Sequence, residues 1–196
     1  MARPKEFIVE EALEKAMEVF WKKGFEGSSF QDICAHTGVQ KASLYGAFGD
    51  KKALYLAALT MYTEHGFRDM ESALESSQDP AEALGEALAH TLSQQKSSTT
   101  KGCMCVNAAV ELGGLDDEIT TALNLHFERM RTLLATTFER GQAVGEFRSE
   151  IDPKVAGAFL QVLWYGLYVA ARSGQCPQSL IPVAELAVEA LVTPTT

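Results

Sequence analysis

The chain has little of what marks a secreted protein, a membrane protein or a catalyst. Four cysteines, Cys34, Cys103, Cys105 and Cys176, in a chain expected to stay in the cytosol, where thiols are kept reduced, argue against a disulfide framework. The first twenty residues, MARPKEFIVEEALEKAMEVF, mix charge throughout and lack a continuous apolar core, which argues against a secretory leader and for a cytoplasmic protein. The most apolar run, Val155 to Ala171, is broken by Gln161 and falls short of the roughly 20 residues a bilayer span needs. It reads as a buried helix, and no membrane partner is expected. No segment shows the β-branched alternation of a strand, so the fold class is all-α. The four histidines, His36, His65, His90 and His126, are scattered, and there is no H-E-x-x-H, G-x-S-x-G, glycine-rich phosphate loop or paired-cysteine zinc motif. The expectation is therefore no catalysis, no metal and no cofactor.

What is present is helix after helix. In FIVEEALEKAMEVFWKKGFE the apolar Val9, Leu13, Ala16, Met17 and Phe20 recur at steps of three and four. Acidic residues fill the first turns, Lys22 and Lys23 the last, and Gly24 is the expected left-handed stop. Further helices are predicted from Asp50 to about Ala73, Pro80 to about Gln95, Gly102 to about Leu112 and Asp116 to about Ala143. Two more are predicted from Pro153 to about Ala171 and from about Ser179 to Val192. Asp79-Pro80 and Asp152-Pro153 are starts in which the carboxylate caps a free N–H and proline presets φ. Asp116 to Glu118, a carboxylate cluster, sits where it would complement a helix dipole. SQQKSSTTKG, residues 93–102, reads as a loop.

The stretch SSFQDICAHTGVQKASLYGAF, residues 28–48, carries the functional signal. Ser28 with Gln31, or Ser29 with Asp32, fits a capping box, so a helix starts at one of them with Ile33 and Cys34 turned inward. Gly38 allows a tight turn, Val39 plugs it, and a second short helix follows with Leu44 and Phe48 on its buried side. That is a helix-turn-helix. Gln40, Lys41, Ala42 and Ser43 are narrow enough to enter a major groove while offering hydrogen-bond donors. Tyr45, Lys51 and the Ser28/Ser29 helix start would hold the flanking phosphates.

GFEGSSFQDICAHTGVQKASLYGAFGDKKALY, residues 24–55, resembles the N-terminal DNA-binding region of the TetR family of bacterial transcriptional regulators. Glycine, a small hydroxyl residue, isoleucine, Gly-Val, Leu-Tyr, Phe and Lys fall at the family's spacing. The resemblance implies a three-helix DNA-binding domain, residues 1–50, and a larger helical effector-binding and dimerisation domain, residues 51–196. It also implies a homodimer through the last two long helices, bound to a palindromic double-stranded operator and released by a small-molecule effector.

A formal charge of −9 opposes a DNA partner. The excess acid lies elsewhere: residues 1–52 hold eight basic and eight acidic side chains, which cancel. With screening over about 8 Å, local contacts decide.

In the larger region, FLQVLWYGLYVAA is apolar nearly all round, as suits a helix facing its own core on one side and a partner subunit on the other. Met61, His65, Met104, Asn107, Phe127, Met130, Trp164 and Tyr168 are the candidates to line a ligand gap between helices. GCMCVNAAVELG, residues 102–113, resembles a segment found in a subset of the family. Cys103, expected in the first turn of a helix beside Lys101, and Cys105 are candidates for redox, electrophile or soft-metal sensing. The expected function is a DNA-binding regulator, a repressor in the commoner arrangement. The alternatives are a thiol or metal sensor on the same fold, and a helical carrier or enzyme that binds no DNA.

Overall fold

A computed structural model describes residues 7–93 and 101–194. Among them are nine helices: α1 (Val9–Lys23), α2 (Phe30–Thr37), α3 (Lys41–Phe48), α4 (Lys51–Leu74), α5 (Pro80–Ser93), α6 (Met104–Leu112), α7 (Asp117–Ala143), α8 (Pro153–Arg172) and α9 (Pro177–Glu189). The described residues contain no strand, only one isolated bridge between Phe147 and Val192. Most of the loop expected at residues 93–102, from 94 to 100, lies outside the described residues.

The helices begin where side chains satisfy their first N–H groups. Asp50, Asp116 and Asp152 each accept from the backbone of their own first turn. Two ends differ from the sequence expectation. The helix expected from Gly102 starts at Met104, because the Gly102 carbonyl is committed to the Trp21 indole, whose Nε1 donates to it at 3.0 Å. The last helix runs from Pro177 and stops at Glu189 rather than Val192, because Thr193 N donates to Glu146 O at 2.8 Å and pulls the chain across to the α7–α8 connection.

Buried side chains form two clusters: the first crosses a division after residue 50, and the second lies wholly beyond it. The first joins α1, α2 and α3 to the start of α4, to α6 and to the start of α7, through Phe20, Ile33, Leu44, Leu54, Tyr55, Met104, Cys105 and Leu123. The second joins the end of α4 to α5, α7, α8 and α9, through Leu74, Leu88, Leu134, Phe138, Leu160, Trp164 and Leu191. Tyr168 packs against both. The α8 helix is long and apolar enough to cross a membrane by length and composition, yet Leu160, Trp164, Leu167 and Ala171 along it are buried in the second cluster.

Candidate nucleic-acid interface and effector cavity

Two capping boxes were open to the start of α2, and Ser29 with Asp32 forms. Ser29 Oγ accepts from Asp32 N at 3.1 Å and Asp32 Oδ2 accepts from Ser29 N at 2.9 Å. Lys23 pairs with the same carboxylate and, with these hydrogen bonds, holds its pKa down to about 2. Ser28 is corrected as a surface phosphate contact: it is buried, and its hydroxyl donates to Phe25 O at 2.8 Å. Cys34, expected to face inward, is half-buried. The turn is closed by Gly38 at φ 73, whose N–H donates to Cys34 O, and by Thr37 Oγ1, which accepts from Val39 N.

α3 is anchored by Leu44, which is fully buried, while Gln40, Lys41, Ala42 and Tyr45 are exposed and Ser43 is half-buried. Tyr45 is held upright against α2 by stacking on Phe30, centroids 4.3 Å apart. Lys41 Nζ lies 5.4 Å from the Tyr45 ring centroid and 5.6 Å from that of Phe30. Lys51 Nζ sits 4.4 Å from the Phe25 ring centroid. Neither lysine has a carboxylate partner among the described residues. Lys52, its neighbour in sequence, is the opposite case: it bridges Asp116 and Glu118 at 2.8 and 3.1 Å, and those bonds raise its pKa. Two cations adjacent in sequence are thus divided, one left for an anion from outside and one spent on tying α4 to α7.

The reader unit is fastened to the bundle by α6 at both ends. At its start, Gly102 O accepts from Trp21, and Lys101 Nζ stands 4.8 Å from the Trp21 ring centroid. At its end, Glu111 spreads its carboxylate over the turn after α1, accepting from Phe25 N at 3.0 Å and Glu26 N at 2.8 Å. Gly24 stands where a Cβ would come within 2.6 Å of that carboxylate. Its φ of 77 has the positive sign that only glycine adopts readily, as expected for the stop of α1, while ψ 179 takes the chain out of the αL well.

Behind the reader, α4, α7 and α8 enclose a cavity of about 60 Å³ together with Cys103. Each helix presents one stripe to it: Tyr62, Gly66 and Met70 from α4; His126, Met130 and Leu134 from α7; Gln161, Trp164, Tyr165 and Tyr168 from α8. Of the eight residues expected to line a ligand gap, Met130, Trp164 and Tyr168 lie on this cavity wall. Five expected lining residues are corrected. Met61 and His65 are one position out of phase with Tyr62 and Gly66, which turns them about 100° away. Phe127 is likewise displaced by His126, and its carbonyl accepts from Gln161 Nε2. Met104 is buried in the first core, and the Asn107 amide donates to Lys101 O at 2.9 Å. His126 stays neutral far below its ordinary range, at about 4, through burial and the nearby Arg129 guanidinium. Burial also raises Tyr62, Tyr165 and Tyr168, so all three phenols remain donors. A larger, open cleft of about 450 Å³ lies between α1 and α2, lined by the Lys23–Asp32 ion pair and by His36 and Glu18, which hydrogen-bond at 2.8 Å.

Cys103 precedes α6 as its N-cap residue instead of sitting in its first turn, and both it and Cys105 are buried. The Cys105 thiol hydrogen bond pulls Cys103 down to about 7, assisted by the Val106 backbone and Tyr62 and opposed by burial. Cys105 is pushed up in return. Lys101, expected to supply the charge, is turned onto Trp21. No group of three metal-ligating side chains occurs among the described residues.

A helix-turn-helix with an exposed, unpaired second helix, mounted on a helical bundle with an internal chamber, defines a DNA-binding transcriptional regulator. The family model for bacterial regulatory proteins of the tetR family matches residues 12–58, and that for the tetracyclin repressor-like C-terminal domain matches residues 80–184. The HTH-type transcriptional repressor ComR of Escherichia coli (strain K12) is 30% identical over 187 residues, 93% of this chain and 88% of ComR. The repressor DhaR of Mycobacterium sp. (strain GP1) is 30% identical over 187 residues, 93% of this chain and 91% of DhaR. A cysteine mutant of the TetR family regulator CifR, solved with a 26-base-pair double-stranded operator, superposes with a TM-score of 0.87 at 28% identity, covering 97% of this chain and 100% of that one. The chain belongs to the TetR family of transcriptional regulators.

Proposed function

We propose that the protein is a homodimeric repressor, acting in the bacterial cytoplasm, that holds a palindromic operator through the α3 helix of each copy and lets go when a small effector enters the α4–α7–α8 cavity. Residues 1–50 are the reading domain and residues 51–196 the effector and dimer domain. The observation that carries this reading is the division of the lysines: Lys41 and Lys51 are unpaired on the face of α3 and the start of α4, in a chain that is otherwise acidic. Gln40, Ala42 and Ser43 would meet base edges, and Ser29, Tyr45 and Lys51 the phosphates. Two α3 helices roughly 34 to 36 Å apart would enter successive major grooves. Repressor function is supported by the relatives ComR and DhaR, and operator binding by CifR.

The lever is α4. It starts at the reader and places Tyr62, Gly66 and Met70 on the cavity wall, so any shift there reaches Lys51 through one rigid helix. The effector drives release by binding the released form more tightly, by about 1–3 kcal/mol in ordinary cases.

The test is a footprint of the dimer on DNA from its own genomic neighbourhood, repeated with Lys41→Ala and Lys52→Ala. Lys41→Ala is expected to weaken binding about tenfold and to lower the salt slope by about one for each lysine. Lys52→Ala is expected to leave the slope unchanged. No protected site, or equal slopes for all three proteins, would overturn the reading and favour a carrier without DNA binding.

A second reading is favoured by the cavity's size. At about 60 Å³ it is far below the roughly 300 to 1,000 Å³ of drug-sized ligand pockets, and its wall includes the Cys103 thiol. A small oxidant or electrophile reacting at Cys103 would disturb Gly102, whose carbonyl holds Trp21 of the reader. Treating the DNA complex with hydrogen peroxide or N-ethylmaleimide, wild type against Cys103→Ser, decides it: equal release from both removes the thiol from the mechanism.

A further inference from the structure

Two of the glycines inside the long helices contrast. Gly157 of α8 has its reason within the chain, since a Cβ there would come within 2.8 Å of Arg131 O on α7. Gly66 has none. It stands in the middle of α4 without a positive φ, so the backbone makes no demand for glycine, the poorest helix former after proline. It is exposed, and a Cβ there would meet nothing within 4 Å. Yet Gly66 also lines the chamber, one helical turn from Tyr62 and one from Met70. A residue that faces both solvent and chamber marks a mouth, and the missing side chain leaves that mouth open.

What can stay inside is set by the walls. No Lys, Arg, Asp or Glu lines the chamber among the described residues, and burial keeps His126 neutral. The nearby cations are committed elsewhere. Arg129 pairs with Glu64 at 2.6 Å and lies 3.7 Å from the Phe67 ring centroid, while Lys101 is turned onto Trp21. An ion entering here would shed its water and find no counter-ion. The hydrogen-bond donors are largely spent as well. Trp164 Nε1 donates to Thr91 Oγ1, and Gln161 Nε2 divides its two hydrogens between Phe127 O at 2.5 Å and the Tyr165 hydroxyl at 3.3 Å. Tyr165 thus accepts from Gln161 and keeps its own hydrogen to give, and burial holds the phenol protonated. Met70, Met130 and Leu134 supply apolar wall. An enclosed water takes about 10–15 Å³ of such space, so a chamber of about 60 Å³ admits about four to six non-hydrogen atoms.

We infer that Gly66 is the doorway of the chamber and that its ligand is a small uncharged carbonyl compound of the ketone class, whose oxygen accepts from Tyr165 while Met70, Met130 and Leu134 surround its alkyl part. This rests on the effector reading proposed above and gives that effector its chemical class. A saturated ketone does not alkylate thiols, so its binding is read independently of any reaction at Cys103.

The probes are 2-butanone and two isosteres of it, the anion propanoate and the cation sec-butylammonium, each titrated at neutral pH into the full chain labelled with nitrogen-15. The chain has two tryptophans, and the indole N–H signal of Trp164, on the chamber wall, is the local reporter. 2-Butanone is expected to move that signal saturably, with both ions at least about 30-fold weaker. Tyr165→Phe removes the donor and keeps the ring, and is expected to weaken 2-butanone about tenfold. Gly66→Leu sets a side chain in the mouth at a position where a Cβ is unopposed, so it is expected to keep helicity and thermal midpoint while weakening 2-butanone at least about tenfold. Undiminished binding to Gly66→Leu would overturn the doorway, and undiminished binding to Tyr165→Phe the carbonyl contact. An ion that binds as well as 2-butanone and releases the operator would overturn the ligand class and leave the effector reading standing. Saturable binding of 2-butanone that leaves operator affinity unchanged would do the reverse. No movement of the Trp164 signal with 2-butanone would overturn the inference outright.

Discussion

In the α2–α3 unit the residues that carry chemistry are turned outward: Gln40, Lys41, Ala42 and Tyr45 are exposed, and the buried part is little more than Phe30, Ile33 and Leu44. In the bundle the arrangement is reversed. Cys103 and Trp164 are buried, His126 and three tyrosines face a chamber, and the outer surface is acidic or, along α8, apolar. The contrast teaches that the two halves are constrained by different things. The reader must keep a few donors free of internal partners, so other polar groups around them are tied to one another, as Asp32 is paired with Lys23 and Glu18 hydrogen-bonded to His36. The bundle must satisfy every buried donor internally, and it does so: no buried side-chain nitrogen or oxygen among the described residues lacks a partner. Substitutions in the reader should therefore change DNA binding at constant stability, and substitutions in the bundle should change stability first.

The sharpest way to break that contrast is Trp164. Its ring fills the cavity wall and its Nε1 donates to Thr91 Oγ1 at 3.1 Å, a fully internal pair. Trp164→Ala removes the ring and strands the threonine, and is expected to lower unfolding free energy by about 3–5 kcal/mol, read from urea denaturation. A shift below about 1 kcal/mol would mean that this wall is plastic and the contrast false. Trp164→Phe keeps most of the ring and is the variant for asking about effector response.

A second test uses protons. His126 is half-buried beside Arg129, which pairs with Glu64 at 2.6 Å, and its pKa falls from the ordinary 6.5 to about 4. Because the unfolded chain takes up the proton first, the stability that the neutral ring supports is complete above pH 6.5. It is lost as pH falls from 6.5 towards 4, by about 3 kcal/mol at most, and changes no further below that. The urea midpoint measured across this window should slope in the wild type and flatten in His126→Gln. Equal slopes would place the titration elsewhere.

The same contrast explains what could be read from the sequence. The reader was legible because its determinants are local: a cap, a glycine turn and two buried residues four apart lie within about twenty positions. Even there, local rules left Ser28 and Ser29 equivalent. The choice is made by Lys23, which reaches Asp32, and by Phe25 O, which draws Ser28 inward. Nor could they tell Lys51 from Lys52, since the acids that claim Lys52 lie more than sixty residues away. Helix starts on Asp-Pro pairs were equally plain. The chamber was not, because it depends on the rotational phase of three helices at once. Choosing Met61 and His65 over Tyr62 and Gly66 is an error of one residue in sequence and of about 100° in space. The stripes 62, 66, 70 and 126, 130, 134 repeat every fourth residue, and that shared step was the available signal. The ties of α6 to the reader, through Gly102 and Glu111, join residues more than eighty apart and leave no trace in either segment alone.

Those ties lead to the smallest effect and the one that bears most on how the halves communicate. Trp21 Nε1 donates to Gly102 O, its ring packs edge-on against Tyr62 at 4.9 Å, and Tyr62 lines the cavity together with Cys103. Trp21→Phe keeps an aromatic ring against Tyr62 and deletes only the donor. The loss should be about 1 kcal/mol of stability, since one half-buried hydrogen bond to a neutral carbonyl is worth no more. DNA affinity without effector should stay within about twofold, because Trp21 is not on the α3 face. If the indole is a link between chamber and reader, release by effector or by Cys103 modification should weaken severalfold, because part of the coupling energy passes through a bond that no longer exists. Operator titrations with and without peroxide treatment measure both quantities on one sample. Full release with the donor gone would assign the whole signal to α4, and the two halves would then speak through one helix instead of two contacts.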